Sequence, residues 1–179
     1  VIVHAGGEAN KGIFAYDVND GSIRWSVAAG DHTYSSPHLA TIAAVSGVLM
    51  LCNDGLQFLN PQDGTLIWSH DWPYQNYRTL QPLIVDENTL LIATSLREGT
   101  RKLTVTRNEQ DDWSIVDDWT TFDMKPDFND FVEYDGHIYG FDNDIFACID
   151  LKTGTRQWKK GRYGHGQVLL LADAGQLLV

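Results

Sequence analysis

Six side chains in this sequence have the chemistry and the placement to meet a ligand: Arg78, Gln81, Asn129, Asp130, Tyr163 and His165. Each sits in a polar stretch just ahead of an apolar run: Arg78-Thr79-Leu80-Gln81, Asp127-Phe128-Asn129-Asp130 and Tyr163-Gly164-His165-Gly166, with Tyr34-Ser35-Ser36 in the same relation to its own run. A cation, two amides, a carboxylate, a phenol and an imidazole suit a small anionic or carbonyl-rich ligand. Main chain approaches closely on both sides of His165, between Gly164 and Gly166, and an imidazole there serves as a general base when a carboxylate orients it; Asp130 is the nominee. The competing reading is structural: such groups hydrogen-bond corners and trapped water. No catalytic residue and no metal ligand set is assigned.

Other chemistry is sparse. The sequence has no CxxC, HExxH, GxSxG, P-loop or GxGxxG pattern. Cys52 ("VLMLC") and Cys148 ("IFACID") sit in apolar, strand-like runs and read as buried free thiols. Asp111-Asp112 and Asp117-Asp118 read as solvated residues in or beside a turn, and His32 and His38, flanking "TYSSP", as satisfied corner residues. The stretch "DWPYQNYR", Asp71 to Arg78, gathers Trp72, Tyr74 and Tyr77 beside an arginine, a composition of interaction hot spots.

Charge narrows the partners. Among 179 residues, 13 Lys+Arg face 24 Asp+Glu, a formal net charge of −11. Nucleic acid needs a basic stripe, so it is excluded as a partner. No run approaches the ~20 apolar residues of a membrane-spanning helix. No signal peptide is legible at the start, and strand-like stretches at both ends ("VIVHA", "GQLLV") lead us to expect a piece of a longer protein.

The elements that would position these residues repeat. "AYDVNDGSIRW" (Ala15 to Trp25), "FLNPQDGTLIW" (Phe58 to Trp68) and "CIDLKTGTRQW" (Cys148 to Trp158) share one design. An apolar strand runs into a polar corner ending in Gly21, Gly64 or Gly154, and a second strand carries a Trp four positions later. Asp-Gly corners favour hairpins because Gly accepts positive φ and the acidic side chain caps the turn. The gap from Gly64 to Gly154 is about twice that from Gly21 to Gly64. A longer-cornered copy, Lys102 to Trp119, fills it. A period of ~40–50 residues with four strands per unit predicts a β-propeller.

Further strand pairs complete the units, with corners expected at Val45-Ser46-Gly47, Asp86-Glu87-Asn88 and Asp135-Gly136. The expected organisation is all-β: a β-propeller of four-stranded antiparallel blades, about four blades' worth. The chain, 1–179, is a single propeller domain or part of one. It has a partial blade at 1–27, blades at about 36–70, 80–120 and 128–159, and a partial blade at 166–179. In that architecture the stretches named first gather at the mouth of a central funnel.

These residues resemble the quinoprotein-type, or PQQ-like, propeller repeat, roughly Ala-x-Asp-x-x-Thr-Gly-x-x-x-Trp. Ala15, Asp17, Gly21 and Trp25 match it, as do Asn60, Gly64 and Trp68, and Asp150, Thr153, Gly154 and Trp158. The resemblance implies that each Trp docks on the neighbouring blade near the Gly turn, a structural role. "FNDFVEYDGHIYGFD" and "RYGHGQ" resemble a subgroup of secreted bacterial members. It implies a non-catalytic scaffold for a protein partner, or a small-molecule binder at the funnel, in a periplasmic, envelope-associated or secreted setting. A sheet that ends mid-blade leaves an open edge, so the expectation is either that the protein continues or that two copies pair in a homodimer closing a larger propeller. The alternative the resemblance implies is a fragment of a PQQ-dependent alcohol or sugar dehydrogenase with PQQ and calcium as cofactors. The adjacent cysteines of those enzymes are absent here, and only Asn129 and Asp130 stand as calcium ligands.

Overall fold

The computed structural model describes residues 1–94 and 98–179; Ser95, with which the run "TLLIATS" ends, lies outside them. The chain is all-β, of the propeller class, and among the described residues the helical turns are two single-turn 3₁₀ segments, Ala9–Lys11 and Ala172–Ala174. No helix among the described residues is long and apolar enough to cross a membrane. Two compact units form: Val1–Pro82 with Thr106–Ser114, and Leu83–Val105 with Ile115–Val179.

The first unit holds a three-stranded sheet of β1 (Ile2–His4), β2 (Ile13–Tyr16) and β3 (Ile23–Val27). Beside it runs the antiparallel meander β4 (His38–Ile42), β5 (Val45–Cys52), β6 (Gly55–Leu59) and β7 (Leu66–Asp71). Ile13, Ala15, Trp25, Met50, Cys52 and Leu59 from the two sheets make one buried cluster, with Ile2, Val27 and Ala29 packed on it. β5 is buried along almost its whole length, as a strand covered on both faces must be.

A second meander joins β8 (Leu83–Ile84), β9 (Thr89–Thr94), β10 (Gly99–Arg107) and β11 (Trp113–Thr121). A third joins β12 (Val132–Tyr134), β13 (His137–Asp142), β14 (Ile145–Asp150) and β15 (Arg156–Arg162). The hairpin of β16 (Leu169–Leu171) and β17 (Gln176–Leu178) follows. The second unit's core draws on Leu90, Ile92, Leu103, Ile138, Phe141, Ala147 and Ile149, all with no exposed surface.

The repeated corner has one geometry. Asp17, Asn60 and Asp150 each accept, through Oδ1, a main-chain N–H inside the turn, from Asn19 (2.8 Å), Gln62 (2.9 Å) and Thr153 (2.7 Å). The N–H of Gly21, Gly64 and Gly154 returns to the carbonyl of that same first residue at 3.0, 2.9 and 2.8 Å. All three glycines have φ between +71° and +76°, the left-handed region that only Gly enters without strain. Two strand positions before each partner of the corner, Trp25, Trp68 and Trp158 pair with Ala15, Phe58 and Cys148, and a register shift follows at once. The bulge leaves Arg24, Ile67 or Gln157 unpaired and bends the strand beside the indole.

One expected corner moved. The turn between β4 and β5 lies at Ala43-Ala44, with φ of 45° and 63°, and Ile42 pairs Val45. Val45-Ser46-Gly47 belongs to β5 instead. Gly47 is needed there for close packing: a Cβ on it would strike the Phe58 ring.

Candidate functional site

In the first unit, Arg78 anchors the corner that leads out of β7. Among the described residues it is the largest side chain with no exposed surface. Its Nε donates to the Cys52 carbonyl at 2.8 Å, one terminal nitrogen donates to the Trp72 carbonyl, and the guanidinium lies over the rings of Trp72 (4.6 Å) and Tyr74 (5.4 Å). Planar guanidinium groups suit such stacking and forked donation. The Arg78 carbonyl in turn accepts from the N–H of Tyr34 (2.7 Å) and Ser35 (3.1 Å), so the corner holds both stretches together. Gln81 is partly exposed and reaches the Ser36 carbonyl at 3.5 Å.

The aromatic stretch from Asp71 to Arg78 divides. Trp72 and Tyr74 are buried: they supply the faces on which Arg78 rests. Tyr77 stays 48% exposed and stacks on Tyr34, itself 65% exposed, with ring centroids 4.5 Å apart. His32 meets Tyr77 edge-on at 5.4 Å.

In the second unit, Asn129, Asp130, Tyr163 and His165 occupy the stretches before β12 and β16. Asn129 is buried; its Oδ1 accepts the Asp127 N–H at 3.2 Å, and its Nδ2 has no partner among the described residues. Asp130 is exposed. Tyr163 is exposed, and its N–H donates to the Asp144 carbonyl at 3.0 Å. The carboxylates at His165 are Asp127 (3.4 Å from Nδ1) and Asp144 (3.7 Å from Nε2). Phe128 stands edge-on to the imidazole at 6.4 Å. Asp127 and Asp144 thus stand nearest the imidazole, a placement that spacing alone missed: Asp144 arrives from the β13–β14 turn.

Sequence reasoning also missed Asp142. It is 1% exposed and receives Lys125 at 2.7 Å, Arg156 at 3.2 Å and Lys159 at 2.5 Å. Burial alone would raise its carboxyl, but hydrogen bonds and charge from Lys125 and Lys159 outweigh this and hold it below the usual aspartate range. The available signal was an acid ending an apolar run ("IYGFD").

These residues do not fit a calcium-bound quinone. Calcium takes six to eight oxygens, the Asn129 carbonyl oxygen faces main chain, and no group of three or more His, Cys, Asp and Glu among the described residues has the geometry for a metal.

Hairpins that pair a Gly turn with a Trp, set in four-stranded antiparallel sheets, define a β-propeller protein built of PQQ-like repeats. The family model described as outer membrane protein assembly factor BamB matches residues 1–160, and the chain belongs to that family. Thirty-four chains of solved structures match. One is BamB from Moraxella catarrhalis, 19% identical, with 97% of this chain and 54% of that chain covered at a TM-score of 0.57. The likeness is one of fold, and this chain spans about half that relative's length. No curated protein matches the chain.

Proposed function

We propose that the chain is a protein-binding platform of the bacterial envelope, in a periplasmic, envelope-associated or secreted setting, and not a quinone-dependent oxidoreductase. The observation that carries this reading is the exposed, stacked pair Tyr34–Tyr77. Tyrosines offer large amphipathic contact area for little lost rotamer freedom. These two are held in place from below, since the Arg78 carbonyl fixes the main chain of Tyr34. Phe128 and Tyr163 stand exposed in the matching stretches of the second unit. The family's description, an outer membrane protein assembly factor, supports a partner that is itself a protein.

The same reading gives the tryptophans their task. Trp25 donates Nε1 to the Pro61 carbonyl at 3.1 Å, and its ring covers Gly64. Trp119 does the same to Leu151, at 3.1 Å, and Gly154. We read both as docking contacts that hold one repeat to the next and keep the exposed tyrosines on a rigid support.

A photo-crosslinking side chain placed at Tyr77 in bacteria tests the proposal. A discrete adduct with another envelope protein is expected from position 77 and not from Val116, an exposed residue on β11. Equal adducts at both positions, or none at either, overturn it.

A further inference from the structure

In the first unit an open depression of about 220 Å³ lies where β5, β6 and β7 meet the β5–β6 turn. Strand register builds it. Cys52 pairs with Gly55 and Gly55 with Asp71; two rungs further in, Met50 pairs with Gln57 and Gln57 with Ser69. Alternation along each strand puts these six residues on one face of the sheet. Asp54, Ser69 and Asp71 stand exposed at the rim, above a floor of buried Gly30, Cys52 and Gly55.

The groups on offer are acceptors. Two carboxylates, a hydroxyl and an amide meet there, and no lysine or arginine among the described residues lines the depression. His70 pairs with Leu56 on the intervening rung, so its side chain leaves from the opposite face. Asp54 accepts from the Asn53 amide at 3.3 Å, and the Asp71 carboxylate has no partner among the described residues. The Gln57 Oε1 is buried and also has no partner among them. Buried acceptors are seldom left without a donor. No group of three or more His, Cys, Asp and Glu among the described residues has the geometry for a metal. The set suits instead an organic cation whose several N–H groups spread over separate oxygens.

The depression shares a corner with the exposed tyrosines. Asn53 lies between Cys52 and Asp54; its N–H donates to the His32 carbonyl at 3.1 Å and its Oδ1 accepts the His32 N–H at 3.1 Å. His32 is the ring that meets Tyr77 edge-on. We propose that the depression receives the ammonium or guanidinium head of a lysine or arginine from the protein that covers Tyr34 and Tyr77. The head donates to the carboxylates of Asp54 and Asp71 and to the Gln57 amide oxygen. A net charge of −11 draws a basic segment toward this chain. The identity of the carrier rests on the tyrosine reading; the chemistry of the depression does not.

Titration of the whole chain with the N-acetyl amides of arginine, lysine and norleucine, followed by amide NMR, tests the head group. Saturable shifts centred on Gly30, Gly55 and Asp71 are expected with the arginine and lysine compounds and not with norleucine, which is neutral and of similar length. Asp71→Asn is expected to keep its thermal midpoint and to weaken both cations about 10-fold, the scale of one charge-assisted hydrogen bond. Gln57→Leu is expected to weaken them as well without loss of stability, since it removes the orphan acceptor. Shifts that are absent, equal with norleucine, or unchanged in the folded variants overturn the proposal. Photo-crosslinking from position 77 in bacteria identifies the carrier, and Asp71→Asn is expected to lower the adduct yield. A yield equal with and without Asp71 overturns the partner as carrier and leaves a free amine as the ligand. A failed titration with the adduct intact overturns this proposal alone; a missing adduct with the titration intact overturns the tyrosine reading and the carrier with it.

Discussion

The indole N–H groups separate three tryptophans that look alike in sequence. Those of Trp25 and Trp119 reach carbonyl acceptors, whereas that of Trp68 is buried without a partner among the described residues. The ring of Trp68 instead meets Phe58 at 5.2 Å and Trp113 at 6.4 Å, so aromatic packing stands where a Gly turn would be. An intramolecular hydrogen bond contributes about 1 kcal/mol net, and a buried orphan donor costs about 1–3 kcal/mol. Trp25→Phe and Trp119→Phe are therefore expected to destabilise more than Trp68→Phe, by about 1–2 kcal/mol in denaturant melts. Burial also acts on the thiols: it pushes Cys52 up to about 12 and raises Cys148. Neither thiolate is populated at neutral pH, so an aromatic disulfide reagent is expected to label no cysteine in the native chain and both once it is unfolded. Asp142 supplies an acid-side stability effect. Its folded pKa lies below the unfolded value of about 3.9, so its contribution is complete above that value and is lost as pH falls through the folded pKa. Asp142→Asn is expected to cost about 2–4 kcal/mol at neutral pH and to flatten the acid limb of a stability–pH profile. The burial of both cysteines was legible in their apolar runs. Asp142 was not, because its three cations come from a loop and a strand that only the folded chain brings to it.

At the scale of elements, alternation and the Gly corners carried most of the reading. The hairpins at Asp17–Gly21, Asn60–Gly64 and Asp150–Gly154 form because their hydrogen bonds lie within five residues of sequence and need no tertiary help. The corner at Ala43-Ala44 was illegible for the complementary reason. Alanine is not a turn residue, and two of them take positive φ only because strands on both sides fix the register. Gly47 misled as a turn signal, since its small size answers to a ring on the adjacent strand. The Asp71–Arg78 stretch shows the same limit. Composition marked it as aromatic and cationic, but which aromatics face inward depends on where Arg78 lies, and that depends on carbonyls from Cys52 and Trp72. The candidate stretches were located by their relation to following strands; their contacts, such as Asp144 at His165, come from the turns of other strands.

For the whole molecule, the repeat established the class before any contact was known, and family membership agrees with it. The exposure of Tyr34 and Tyr77 was not legible in the same way, since no periodicity requires it and no core enforces it. The turn-and-indole contact bears on how such chains change in number of units. At Trp25–Gly64 and Trp119–Gly154 the indole of one repeat meets the turn of the next, and nothing more distant takes part. Duplicating a repeat of that kind inserts an indole and a turn together, so such junctions stay matched. Lineages can therefore lengthen or shorten such a protein by recombination of whole repeats without redesigning those junctions.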